Sequence, residues 1–158
     1  EGRRPMPVEV QALSVAAAGP PRRTTSGVDS SRVAMMLAIL QSRLGIEFDR
    51  NDVFVSTVGG AKASEPSVDV AIALALASAA LDLPLAPGVI AIGEVSLTGE
   101  LRPVVGLQRR LNEAARLGFH TAVVPITGDD LKAPTGMKVR AVADVQEAAR
   151  SVLPVNVN

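Results

Sequence analysis

Cysteine, tryptophan and tyrosine are absent from this 158-residue chain, phenylalanine occurs three times and histidine once. Without cysteine there is no disulfide framework, no thiol nucleophile and no cysteine-ligated zinc. A single His120 argues against a transition metal held by the protein, and with no partner evident it reads as a surface or strand-edge residue. So few aromatic rings leave little to stack on nucleic-acid bases, so any such contact has to run through phosphates. Net charge is missing too: 16 basic and 16 acidic side chains cancel, and no bulk field draws the molecule toward DNA or an anionic membrane. The longest apolar run, Val70 to Leu81, is bounded by Asp69 and Asp82 and is too short to cross a bilayer, so it reads as a buried core helix and no membrane partner is expected. Freedom from cysteine and the lack of a signal peptide fit a reducing, cytoplasmic location. The opening "EGRRPMPVEV" has no initiator methionine, as expected of a domain cut from a longer protein.

What is present is hydrophobic residue, at 47%, enough for one packed domain over residues 1–158. "VEVQALSV" alternates as a strand does, and the Pro/Gly/Arg-rich stretch after it, through "PPRRTTSG", reads as loop. A helix is predicted from Asp29 or Ser30 to Gly45, because Val33, Met36, Leu37, Leu40 and Leu44 recur at helical spacing. "DVFVSTVGG" is a second strand, the apolar helix after Ser67 follows, and "GVIAIGEV" is a third strand. "VSLTGELRPV" reads as a hairpin turning at Thr98 and Gly99. "GLQRRLNEAARLG" is an amphipathic helix, with Leu107, Leu111, Ala114 and Ala115 on one face. Strands "HTAVVP" and "MKVRAV" and the helix "DVQEAARSVL" complete an α/β (α+β) pattern expected to surround one mixed sheet.

Ser67, in "KASEPSVDVAIALALAS", has two readings. Beside Pro66 it suits the first turn of a helix, where Ser64 or Ser67 can satisfy free backbone N–H groups. Alternatively it is a nucleophile, which requires a base to take its proton. Lysine stands only at 62, 132 and 138, and Lys62 is the one near Ser67 in sequence. "TVGGAKAS" lacks the spacing of a phosphate-binding loop, so no ATP site is expected here, and its glycines shape the turn after a strand.

"EPSVDVAIALALAS" and "IGEVSLTGELRPVVGLQRRLNEAARLGFHTAVVP" resemble the serine and lysine segments of Lon-type peptidase domains. The resemblance implies the fold of that domain, similar to domain 2 of ribosomal protein S5. It sets Ser67 on the nucleophile and Gln108 on the lysine base, and a glutamine amide cannot serve as a base at neutral pH. Ile92 stands where the peptidases have a threonine. Glu65, Val68 and Asp69 replace small residues beside the serine, which is expected to crowd a peptide and to put carboxylates where an oxyanion would form. No catalysis is therefore expected. The alternative is an active serine peptidase with Ser67 as nucleophile and Lys62 as substitute base.

"EGRRPMPVEVQAL", "PPRRTTSGVDSSRVAMMLAIL" and "VFVSTVGGAKASEPSVDVAIALALAS" narrow the resemblance to the C-terminal Lon-like domain of the RadA (Sms) family of bacterial DNA repair proteins, from Glu1 to about Leu153. It implies a DNA-dependent ATPase of recombination that forms a hexameric ring and possesses a recombinase as a candidate partner. ATP, Mg and Zn are expected only in a missing N-terminal part, with no cofactor in this fragment. For the DNA or subunit contact implied, Arg22 and Arg23 sit in an expected exposed loop. Arg102, Arg109, Arg110 and Arg116 gather on the hairpin and the next helix. For the helical three, the alternative is simply a solvated helix face.

Overall fold

The computed structural model describes residues 6–154, so residues 1–5, which begin the first RadA-like segment, and residues 155–158 lie outside the described residues. The elements are β1 (Val10–Ala16), β2 (Arg23–Ser26), α1 (Ser30–Leu44), β3 (Asn51–Thr57), α2 (Asp69–Leu81), β4 (Val89–Ala91), β5 (Glu94–Val95), β6 (Leu101–Arg102), α3 (Leu107–Arg116), β7 (Thr121–Pro125), β8 (Lys138–Val142) and α4 (Val145–Val152). The α/β reading holds, and its single mixed sheet does not. Among the described residues three sheets form: β1-β3-β2, β4-β7-β8 and the hairpin pair β5-β6.

The division follows from α2. Its residues "DVAIALALASAAL" are apolar around the whole helix, and Asp69, Val70 and every residue from Ile72 to Ala77 are buried. A helix apolar all round needs cover on all sides. Here α1 and α4 pack beside α2, with the first sheet on one side and the second on the other, so the sheets cannot merge. The layers run first sheet, then α1, α2 and α4, then the second sheet, then α3. Strand β7 sits between two cores: Val123 joins the large one, while Ala122 and Val124 join Leu107, Leu111 and Ala114 of α3 in a smaller one.

Local signals fix both ends of α1 and the start of α4. The Asp29 carboxylate accepts from the Ser31 N–H at 3.0 Å, and Gly45 closes α1 in the left-handed conformation at φ 70. Asp144 caps α4 by accepting from the Glu147 N–H at 2.9 Å. The expected third strand is split into β4 and β5, because at Gly93 the backbone turns aside to bond Ser67 and Val70. Strand β2 corrects the loop expected there: "RTTS" pairs in parallel with β3, its two β-branched threonines masked in sequence by the prolines ahead of it. The chain leaves β2 through Gly27 at φ 79, where a Cβ would collide with the Thr57 side chain and the Ala61 carbonyl.

Candidate functional site

Ser67 lies in a single 3-10 turn, Pro66–Val68, that leads into α2. The helix-start reading is right about its place, yet neither the turn nor α2 has a side-chain cap bond. The turn is anchored through the backbone instead. Gly93 N–H donates to the Ser67 carbonyl at 2.9 Å, and Val70 N–H donates to the Gly93 carbonyl at 3.2 Å.

The half-buried Ser67 side chain stands on the wall of an open cleft of about 750 Å³ whose floor is apolar, with Leu74 and Ala75 of α2 and Ile90 of β4. Arg110 on α3 faces it, its Nη1 approaching the Ser67 Oγ at 3.4 Å. The same guanidinium reaches Glu65 at 3.8 Å and donates from Nε to the Val105 carbonyl at 3.2 Å. Guanidinium is a donor that does not lose its proton in proteins. It points donors at the Ser67 hydroxyl and cannot take a proton from it.

Gln108, set by the resemblance at the base position, has its amide committed elsewhere. Its Nε2 donates to the Lys132 carbonyl at 2.8 Å and to Asn112 at 3.1 Å, while its Oε1 accepts from the Lys132 N–H at 2.8 Å. This clamp holds the connector between β7 and β8 against α3. Lys62 is exposed and lines the same cleft as Ser67.

Asp69 corrects the expectation that it puts a carboxylate where an oxyanion would form. It is fully buried and accepts from Arg32 Nε at 2.6 Å, from Arg32 Nη2, and from the Val95 N–H at 3.0 Å. Those bonds leave its carboxylate engaged with α1 and β5. The hydrogen bond to Asp69 raises the Arg32 pKa above the ordinary guanidinium value, against the opposing effect of burial. Sequence reasoning missed this pair, although a charge inside an otherwise apolar helix is the signal that a buried counter-ion is needed.

The arginines expected to contact DNA or a neighbouring subunit have different surroundings. Arg23 begins β2 rather than sitting in a loop, and its guanidinium donates to the carbonyls of Asn51 at 2.6 Å and Phe48 at 2.9 Å. It ties β2 to the α1–β3 connection. Arg116 is held by Glu113, one turn back, whose hydrogen bond and charge raise its pKa. Arg110 belongs to the Ser67 wall. Arg22, Arg102 and Arg109 are exposed. His120 is exposed as expected, its Nδ1 3.1 Å from the Thr121 hydroxyl.

Residues 19–128 match the family model described as subunit ChlI of Mg-chelatase. Among the described residues, no three His, Cys, Asp or Glu side chains gather into a group able to hold a metal ion. Nor is any described helix long and apolar enough to cross a membrane. Over nearly its whole length the chain is similar to DNA repair protein RadA: 51% identical over 154 residues in Mycolicibacterium smegmatis, 96% of this chain and 32% of that protein. The Bacillus subtilis protein of that name is 42% identical over 155 residues, 97% of this chain and 34% of its own. That of Escherichia coli is 42% identical over 149, 94% and 32%. The chain spans about a third of the curated relatives it matches.

Proposed function

The chain belongs to the ChlI family and matches about a third of DNA repair protein RadA, and from that premise we propose that it is a non-catalytic, Lon-like domain serving assembly and DNA contact in a repair ATPase. The observation that carries the non-catalytic half is the Ser67 hydroxyl facing the Arg110 guanidinium at 3.4 Å, a donor where a peptidase needs an acceptor. Gln108, bonded to both backbone groups of Lys132, supports the same reading. On this reading ATP, Mg and Zn belong to the remaining two thirds of the RadA-like protein, the parent assembles as a hexameric ring, and a recombinase is a candidate partner.

The DNA half rests on exposed arginines facing phosphate, since the chain has no tryptophan or tyrosine for base stacking. Arg22 and Arg102 are the residues to test, because Arg23 and Arg110 bond backbone carbonyls and Arg116 is paired with Glu113 on its own helix. In anisotropy titrations with single- and double-stranded DNA over about 50–200 mM salt, each phosphate contact contributes about 0.7–0.9 to the slope of log K against log salt. Arg22→Ala with Arg102→Ala should weaken binding and flatten that slope. An unchanged slope removes both from the interface.

One observation favours a second reading, a serine peptidase: Lys62 and Ser67 line the same cleft. It requires Lys62 to displace Arg110 as the neighbour of the hydroxyl.

A further inference from the structure

Among the described residues, strand β1 is an edge of the first sheet, with β3 on one side only. Native edges are normally guarded against pairing by charge, proline or short length. The other edges follow that rule: β2 has four residues, begins with Arg23 and follows Pro20 and Pro21; β4 has three residues; β8 carries Lys138 and Arg140. By contrast β1, "VQALSVA", is seven residues long with no charge and no proline. Its outward face carries large apolar side chains as well, beside the polar Gln11. Leu13 is 55% exposed and Val15 41%, and Phe54 on β3, directly opposite Leu13, is 37% exposed.

The register shows which backbone groups of β1 point away from β3. Val58 N–H donates to the Glu9 carbonyl and Ala17 N–H to the Arg50 carbonyl, so the odd-numbered residues of this segment exchange bonds with β3. In an antiparallel ladder the intervening residues direct their N–H and C=O groups the other way. Those are Val10, Ala12, Ser14 and Ala16.

We propose that β1 pairs antiparallel with β1 of a second copy of this chain about a two-fold axis through Leu13, joining two three-stranded sheets into one of six strands. The segment is self-complementary in this register. Ala12 meets the partner's Ser14, and Val10 meets the partner's Ala16, so each outward N–H finds a carbonyl. Leu13 meets the partner's Leu13 in a non-hydrogen-bonded pair, with Cα atoms about 4.5 Å apart. Val15 lies against the partner's Gln11, and Glu9 faces the partner's Ala17, so no like charges oppose each other. Such an isologous contact closes on itself, whereas a rotational ring needs head-to-tail contacts. The proposal is therefore additional to a ring and independent of DNA binding.

The chain has no cysteine, so a single introduced thiol tests the register directly. Under mild oxidation Leu13→Cys should give a covalent dimer, because its Cα separation lies inside the roughly 4.4–6.8 Å that a disulfide spans. Gln11→Cys, on the same face but about 13 Å from its own copy in this register, should not. Leu13→Lys sets two ammonium groups face to face. By sedimentation velocity it should remove the two-fold contact and halve the particle mass, with the circular dichroism unchanged. A Leu13→Cys chain that does not cross-link, a Gln11→Cys chain that cross-links as readily, or a Leu13→Lys chain that keeps its mass would each overturn the pairing.

Discussion

Arg110 and Arg32 do opposite work with the same group. Arg110 is partly exposed and spreads its donors over Ser67, Glu65 and the Val105 carbonyl, so it marks the Ser67 wall without a tight ion pair. Arg32 aims two donors at one buried carboxylate. Removing one member of such a pair leaves the other charge unpaired in the core, which costs about 3–5 kcal/mol. Arg32→Ala should therefore lower stability by about that amount in denaturant titrations. Arg32→Ala combined with Asp69→Ala should recover part of it, because no orphan charge remains. A single-variant loss under about 1 kcal/mol would show that Asp69 finds solvent or another partner. In neither case was the identity of the partner legible in the sequence. Arg32 lies one residue before the apolar stripe of α1, and Asp69 reads equally well as the end of a hydrophobic run; only the fold brings the 37-residue separation to a bond.

At the scale of elements, α1 and α4 were legible because local chemistry sets their starts and their buried faces. Asp29 and Asp144 cap them, and the apolar residues recur with the helical period. Hydrogen bonds from the Ser31 hydroxyl and backbone lower the Asp29 pKa below the usual carboxylate value. A depressed carboxylate pKa stabilises the fold above the unfolded value of about 3.9, and that contribution is lost as pH falls through the folded value. Melting temperature should thus drop on acidification below about pH 4, and Asp29→Asn, which keeps a competent cap, should make that drop shallower. An identical acid profile in the variant would place the acid sensitivity elsewhere. The clamp from Gln108 to Lys132 was not legible, because a glutamine in the first turn of a helix carries no sequence signal for a partner 24 residues on. Gln108→Ala should speed amide exchange across the β7–β8 connector while leaving α1 and α2 protected. Uniform protection in that variant would mean the connector does not depend on the clamp.

For the molecule as a whole, the alternation of strands and helices revealed the class but not the layering. The same apolar helix that was plain in the sequence is what separates two sheets, and hydrophobicity alone does not say what lies on each side of it. Two cores result, and α3 is bound to the rest by the smaller. Leu111 is fully buried there, so Leu111→Ala should cost about 2–5 kcal/mol. Exchange should quicken first in α3 and β4 rather than in α1, and opening spread evenly over all helices would argue against two cores. The family resemblance located Ser67 but not its neighbour, since Arg110 reaches it from 43 residues away across the cleft. Whether this fold performs chemistry comes down to that neighbour. The direct measurement is labelling of the intact chain with a fluorophosphonate probe, read by mass spectrometry of the Ser67 peptide. The account predicts no modification of Ser67 above that of other surface serines. Rapid, selective modification of Ser67 that disappears in Lys62→Ala would contradict it.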